Sequence, residues 1–539
     1  MEITTGRPAT LAPKCMVSCP HSLASEAGVD VLRAGGSAVD AAIAASAVLA
    51  VVYPHMTSLG GDAFWLVRDA EQDRVRYLSG GGKAARRASP DWFHDRGFAE
   101  IPYRGAIPAT LTVPGAVASW CEAHRVYGKL PLKRCLAAAV AYAREGFPVT
   151  ARLAHWIGLT ADELGKSPDA AALFLAGGVP RTGTMLRNPN LARTLEALAD
   201  EGVSGFYGGE VAAEFARFAA ANGGFFDRED FAAQSAEWSE PIRATYRDVT
   251  IFETPAPTQG FAALQMLKLL EPFGLHEKPF LGPDHVHLMV QAKQIAYHDR
   301  DRFLADPAFS DVPMDHLLSP AYLDERRSLM DPREALRWDR LPAHGSLTGD
   351  TIYIAAVDHA GHAASLVQSL YWGFGSACVA GRTGVVLQNR AAYFSLDPAS
   401  PNRLEPGKIP LHTLIASLAC RGGDLWAVLG CMGADGQPQI HVQTYLALID
   451  YGCDIQEAIE APRFLSGRFV LGEARDTLHM ESRFPPETLD ELERRGHPVN
   501  RWGPWNELAG HAHGIVVDPA GGVRQGGSDP RSDGAAIGY

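Results

Sequence analysis

The chain has 539 residues, 46% hydrophobic and 21% charged, the balance of an ordinary globular protein with room for one large layered core or more than one domain. Its 62 acidic against 49 basic residues give a net charge of −13, which argues against a nucleic-acid partner, because phosphate binding needs a basic face. The eight cysteines are scattered and form no C-x-x-C pair, and MEITTGRPATLAPKC lacks the apolar stretch of a secretory leader, so a reduced, cytoplasmic setting is expected.

Residues 22–52 predict two helices. Ser22 is placed to cap the first, Gly35 and Gly36 end it, Ser37 with Asp40 makes a capping-box start for the second, and Pro54 closes that one. The apolar run at 41–52 is shorter than the about 20 residues a bilayer requires, so it predicts a buried helix and no membrane partner. Gly60 and Gly61 lead into AFWLV and then VRYL, a hairpin pattern. Helical spacing dominates 110–240, strands return near 250–253, and one long helix is expected over 284–304. The stretch 305–348 shows no periodicity and predicts a surface excursion ending in a flexible segment. Near 350 the composition changes to strands, in TIYIAAVD, AASLVQSLY and TGVVLQN, which makes this the strongest boundary and divides the chain into 1–350 and 351–539.

Two segments carry chemistry. In 349–371 two β-rich runs flank a turn at His359–Gly361, and a three-residue turn would set Thr351 opposite Ser369. Two adjacent hydroxyls after a loop suit nucleophilic chemistry, although from these residues alone an ordinary cross-strand Thr–Ser hydrogen bond is the simpler account. In 425–452 an apolar strand enters a turn with Gly430, Gly433 and Gly436, and a helix follows from about Pro438. Backbone N–H groups there suit developing negative charge, or the segment is a plain strand-to-helix turn. Its spacing is neither a P-loop nor a dinucleotide fingerprint, and no G-x-S-x-G or H-E-x-x-H occurs. The pairs His285/His287 and His511/His513 have no acidic or Cys partner at ligand spacing, so surface or satisfied histidines are expected and no metal. HDRDRF at 298–303 reads as an ion-pair network in a helix end.

Several further stretches fall in order along the chain: HSLASEAGVDVLRAGGSAVDAAIAASAVLAVVYPH, VPGAVASW, YGKLPL, AREGFPV, TPAPTQG, DRDRFLADP, EAIEAPRF and GGSDPRSDGAAIGY. Together with DTIYIAAVD they resemble the γ-glutamyltransferase family over nearly the whole length. The resemblance implies a precursor that cuts itself between Asp350 and Thr351, with Thr351 as the nucleophile. It also implies a four-layer αββα sandwich of the N-terminal nucleophile hydrolase type, built jointly by the two segments. A threonine at a new N-terminus carries its own base, the free α-amine. By the same resemblance Ser369 supports the nucleophile, and the Gly433 and Ala434 amides hold the oxyanion. The two segments are then expected to stay together as a heterodimer, or a dimer of heterodimers, acting on a small amide with no cofactor.

At the substrate clamp the chain departs from the family. Gly81 stands where a carboxylate-gripping arginine is expected. Tyr371, Arg390 and Tyr393 replace an Asn and an acidic pair, and His412 and Thr413 replace paired serines. Arg390 is suited to binding a carboxylate, or it is a surface residue or an internal salt-bridge partner. The remaining pattern is similar to the oxamate-amidohydrolase and cephalosporin-acylase side of the family, which implies an amidohydrolase acting on a small acidic or acyl amide. The alternatives are γ-glutamyl transfer or glutathione hydrolysis through an altered clamp, and an uncut, silent binding relative.

Overall fold

A computed structural model of the protein describes residues 6–336, 350–468 and 474–539, with Asp350 in its backbone alone. Fourteen strands build its centre. Those of the first segment are β1 (Thr10–Ala12), β2 (Met16–Cys19), β3 (Asp62–Asp69), β4 (Arg74–Gly80), β5 (Glu237–Ser239), β6 (Ile242–Tyr246) and β7 (Val249–Glu253). The rest are β8 (Asp350–Val357), β9 (Ala363–Tyr371), β10 (Ser417–Arg421), β11 (Asp424–Cys431), β12 (Ala512–Val517), β13 (Arg524–Ser528) and β14 (Ala535–Gly538). They form two seven-stranded sheets, ordered β14-β2-β8-β9-β3-β4-β5 and β1-β13-β12-β11-β10-β7-β6. Each sheet draws strands from both sides of residue 350, so neither segment completes a sheet alone.

Side-chain alternation on β8 shows how the layers form. Ile352, Ile354 and Ala356 point to one apolar cluster, with α1 (Ser22–Arg33), α2 (Ala38–Val52) and α3 (Ala116–Tyr127). Tyr353, Ala355 and Val357 point the other way, against Leu418, Val428 and Ile515 of the facing sheet. This period of two buries a strand on both faces only when a sheet is covered on both sides. On the far side of the second sheet lie α4 (Gly260–Leu270), α5 (Pro283–Phe303) and α6 (Gln437–Ile449). The result is the expected αββα sandwich. Every residue of α2 is buried, which accounts for its apolar character all round.

Most expected elements are present, with three differences. His21, not Ser22, caps α1: its Nδ1 accepts the Leu23 N–H at 3.2 Å, so Ser22 becomes the first helical residue. The Ser37–Asp40 capping box forms as expected. TGVVLQN makes no strand. Its backbone bonds go to Gly60 and Cys378 through isolated bridges, between a 3-10 turn at Gly381–Thr383 and another at Arg390–Tyr393. Short helices Met314–Leu317 and Pro320–Arg327 occupy the stretch read as irregular, while 337–349, the expected flexible segment, lies outside the described residues.

Candidate active site

The β8–β9 hairpin turns at 359–361. The Asp358 N–H donates to the His362 carbonyl at 3.0 Å, and Gly361 takes the left-handed backbone (φ +83°) that such a three-residue turn needs. The expected register holds from Val357 opposite Ala363 to Ile352 opposite Gln368. There the ladder breaks, because Asp350 faces Tyr371, so that Thr351 alone opposes both Ser369 and Leu370. This bulge on β9 frees the Leu370 N–H and carbonyl to bond Met56 and Asn389 instead.

Thr351 is 1% exposed. Its Oγ1 accepts from Gln437 Nε2 at 3.4 Å, and Gln437 Oε1 in turn accepts the Ile415 N–H at 2.9 Å. The start of α6 thereby reaches the threonine hydroxyl. Ser369 Oγ accepts the Tyr371 N–H at 2.7 Å, and its backbone pairs with Asp62 on β3. A Cβ on Gly61 would come within 2.2 Å of the Ser369 carbonyl oxygen, so only glycine lets the chain pass so close to this strand.

The turn before α6 is strained at the two residues of interest. Gly433 has φ +150°, and Ala434, which has a Cβ, has φ +47°. Left-handed backbone at a non-glycine residue costs about 1–3 kcal/mol and persists only where its surroundings impose it. Those surroundings are visible. Gln259 Nε2 donates to the carbonyls of Ala434 (2.9 Å) and Thr413 (2.7 Å), and the Tyr297 hydroxyl donates to the Asp435 carbonyl. Arg300, 1% exposed, donates to the Asp435 carboxylate and to Gln259 Oε1 (2.7 Å), while Tyr393 adds a hydroxyl bond to Asp435 Oδ1 at 3.1 Å. HDRDRF is therefore an ion-pair network, as its sequence suggests, with Asp299 bound by Arg326 as well. That it also anchors the turn rests on Tyr297 and Arg300 lying one helical turn apart on one face of α5.

A second buried network braces the turn from the other side. Arg531 grips Glu481 with two bonds (2.7 and 2.6 Å) and Asp529 with a third (3.0 Å). Arg463 binds Asp529 at 3.0 Å and the carbonyls of Ala509 and Gly510. The next residue, His511, exchanges backbone bonds with Met432, directly before Gly433. These arginines hold the Asp529 carboxyl well below its ordinary range, against the opposing effect of burial.

Arg390 is fully buried. Its Nη1 donates to Thr413 Oγ1 at 3.2 Å, and its guanidinium lies 4.3 Å from the Tyr371 ring centroid, with Tyr393 edge-on to that ring at 5.4 Å. Tyr371 is itself a positive-φ residue (+83°). His412 lies with Nε2 3.4 Å from Asp62 Oδ2 and edge-on to Phe64. Arg390, Tyr371, Tyr393, His412 and Thr413 thus meet. Gly81 stands apart from them: an added Cβ there would meet the Ile409 side chain at 2.7 Å and the Phe64 ring at 3.3 Å, so a larger residue would need both to shift.

Tyr371 and Tyr393 also line a cavity of about 610 Å³, together with Tyr103, Asp301, Arg302 and Arg468. The histidine pairs at 285/287 and 511/513 are buried rather than superficial. His287 is satisfied by His497 and the Asp331 carbonyl. Among the described residues neither pair joins a cluster of three potential metal ligands; Asp40, His124 and Cys135 do.

The chain matches the gamma-glutamyltranspeptidase family over residues 24–539. It is 39% identical over 530 residues to the glutathione hydrolase-like YwrD proenzyme of Bacillus subtilis, covering 98% of this chain and 99% of that one. It is likewise 39% identical to the oxamate amidohydrolase proenzyme of Klebsiella pneumoniae, covering 97% and 98% of the two chains. The crystal structure of cephalosporin acylase from Bacillus halodurans superposes on the whole chain, and on 98% of its own, with a TM-score of 0.92 at 34% identity. With the αββα sandwich and a threonine opposite the bulged strand beside a strained backbone turn, these likenesses lead to one conclusion: the chain belongs to the gamma-glutamyltranspeptidase family and is an autoprocessing amide hydrolase of the N-terminal nucleophile type.

Proposed function

We propose that Thr351 is the nucleophile and that the substrates are short amides whose acyl group carries a carboxylate. The bond from Gln437 to Thr351 Oγ1 carries the first part, because it ties that hydroxyl to the helix that opens from the Gly433–Ala434 turn. In the precursor, Oγ1 adds to the Asp350 carbonyl, the C–N bond breaks, and water releases the resulting ester. The freed Thr351 amine then takes the hydroxyl proton as Oγ1 attacks the substrate amide. The Gly433 and Ala434 N–H groups receive the developing charge, the amine proton leaves with the amide nitrogen, and water then hydrolyses the acyl ester on Oγ1 to free the acid and the hydroxyl. Since both sheets mix strands from both segments, 1–350 and 351–539 stay associated after the cut.

Arg390 supports the second part. It is a permanent charge, and among the described residues its Nε has no hydrogen-bond partner. Tyr371, Arg390 and Tyr393 supply none of the acids that an ammonium group would need, and the oxamate-hydrolysing relative acts on a carboxylated amide. Arg390→Ala is expected to raise KM for succinamate by about 30-fold or more, the cost of removing one partner of a buried charge pair, and to leave butyramide nearly unchanged. Steady-state kinetics on the two amides checks this; an equal effect on both removes Arg390 from the acyl pocket. Ser369→Ala is expected to lower kcat about tenfold, the worth of one hydrogen bond, with KM little changed. Unaltered turnover in single-turnover assays makes Ser369 structural only.

A further inference from the structure

Behind the nucleophile, buried polar atoms accumulate without protein partners. Asp62 Oδ2, Gln388 Oε1, Arg390 Nε and both ring nitrogens of His412 all lack hydrogen bonds among the described residues, and all four side chains are at most 1% exposed. Buried polar atoms in folded proteins nearly always have a partner, so several unpartnered side by side call for an explanation. Asp62 stands at the centre. It is the cross-strand partner of Ser369, and its Oδ1 accepts the Gly115 N–H and Gln388 Nε2, each at 3.1 Å. Its Oδ2 is left facing His412 Nε2 at 3.4 Å.

We propose that Asp62 is a specificity-determining residue that sets the charge of the acyl pocket: shared with His412, its carboxyl is neutral when a carboxylated amide binds, leaving the Arg390 charge to the substrate. This rests on Arg390 as the anion receptor. An ionised Asp62 neutralises Arg390 from within and repels the substrate carboxylate, so binding takes up one proton from solvent onto the Asp62–His412 pair. No other step is required.

The surroundings favour this arrangement. Burial pushes the Asp62 carboxyl up to about 7, with Arg390, the Gly115 and Gly82 N–H groups and Gln388 acting in the opposite direction. Burial and Arg390 keep His412 neutral, well below its ordinary range. The remaining titratable group that feels Asp62 is Tyr207, which burial raises far above neutrality. Asp62 is therefore a group beside Arg390 that changes charge near pH 7. Below about 7 it is protonated and no longer offsets Arg390; above, it ionises and does. Of the other groups that act on Arg390, Tyr371 and Tyr393 are raised by burial far above this range, and Asp435 is paired with Arg300.

The test is kcat/KM for succinamate and butyramide on the processed enzyme from pH 6 to 9, with Asp62→Asn beside the natural chain. Relative to butyramide, KM for succinamate should climb above pH 7, approaching about tenfold per pH unit, and stay flat and low in Asp62→Asn. A slope unchanged by Asp62→Asn, or a flat wild-type slope with succinamate still preferred, overturns the role of Asp62 and leaves Arg390 as receptor. No preference for succinamate at any pH overturns both. Because Asp62→Asn could misfold, calorimetry of succinate binding to the wild-type enzyme at pH 7.5, in two buffers of different ionisation enthalpy, gives an independent reading. Net proton uptake is expected, and zero uptake refutes the proposal.

Discussion

Thr351→Ala is expected to remain a single chain and to lose amide hydrolysis by about 10⁴-fold or more, the scale on which removing a covalent nucleophile acts. Both losses have one cause. The hydroxyl that adds to the Asp350 carbonyl is the one that later attacks the substrate, and no neighbour substitutes for it. Ser369 shares the rung but is engaged by the Tyr371 N–H, and it lies within the chain, where it has no free amine of its own. Thr351→Ser is the control: it keeps the hydroxyl and should still process. Fragments from the alanine variant, separated by denaturing electrophoresis, would sink Thr351 as the group that cuts.

Arg300→Met has the second-largest expected effect. The guanidinium is buried between Asp435, to which its Nη1 donates, and Asp301, to which its Nε and Nη2 donate at 2.8 and 2.7 Å. Removing it leaves two carboxylates without their counter-charge, which costs about 3–5 kcal/mol when a buried pair is broken from one side. Asp435 is part of the turn that opens α6, so the loss is not confined to stability. Once Asp435 is released, Ala434 has less reason to hold φ +47°, and a misplaced oxyanion donor costs about 10²–10³ in kcat. Denaturant midpoints and kcat should therefore fall together. Arg300→Lys should restore part of the stability but little of the rate, since lysine cannot bridge Gln259, Asp435 and Asp301 at once. A stable Arg300→Met enzyme with normal kcat would show that the turn stands without its anchor.

Much of the architecture is legible in the chain. The capping box at Ser37, the all-round apolar α2 and the alternation along β8 are local patterns with local physical causes, and each is found where its pattern lies. The β8–β9 register follows from the length of one turn. What escapes the sequence is long-range. The bulge opposite Thr351 depends on Met56 and Asn389 drawing Leu370 out of the ladder, and neither is near it in sequence. The anchoring of the turn by Gln259 and Arg300, and its bracing through Arg463 and Asp529, join residues as far as 175 positions apart. Gln437 looks like an ordinary first residue of a helix until Thr351 arrives beside it. TGVVLQN misleads for the opposite reason: its β-branched residues signal a strand, but its backbone is taken up by isolated bridges to Gly60 and Val379.

The most direct test of the central claim is the intact mass of the purified protein under denaturing conditions. Two species are predicted, one ending at Asp350 and one beginning at Thr351 with a free amine. A single full-length mass from protein that nonetheless hydrolyses amides would contradict Thr351 as an N-terminal nucleophile.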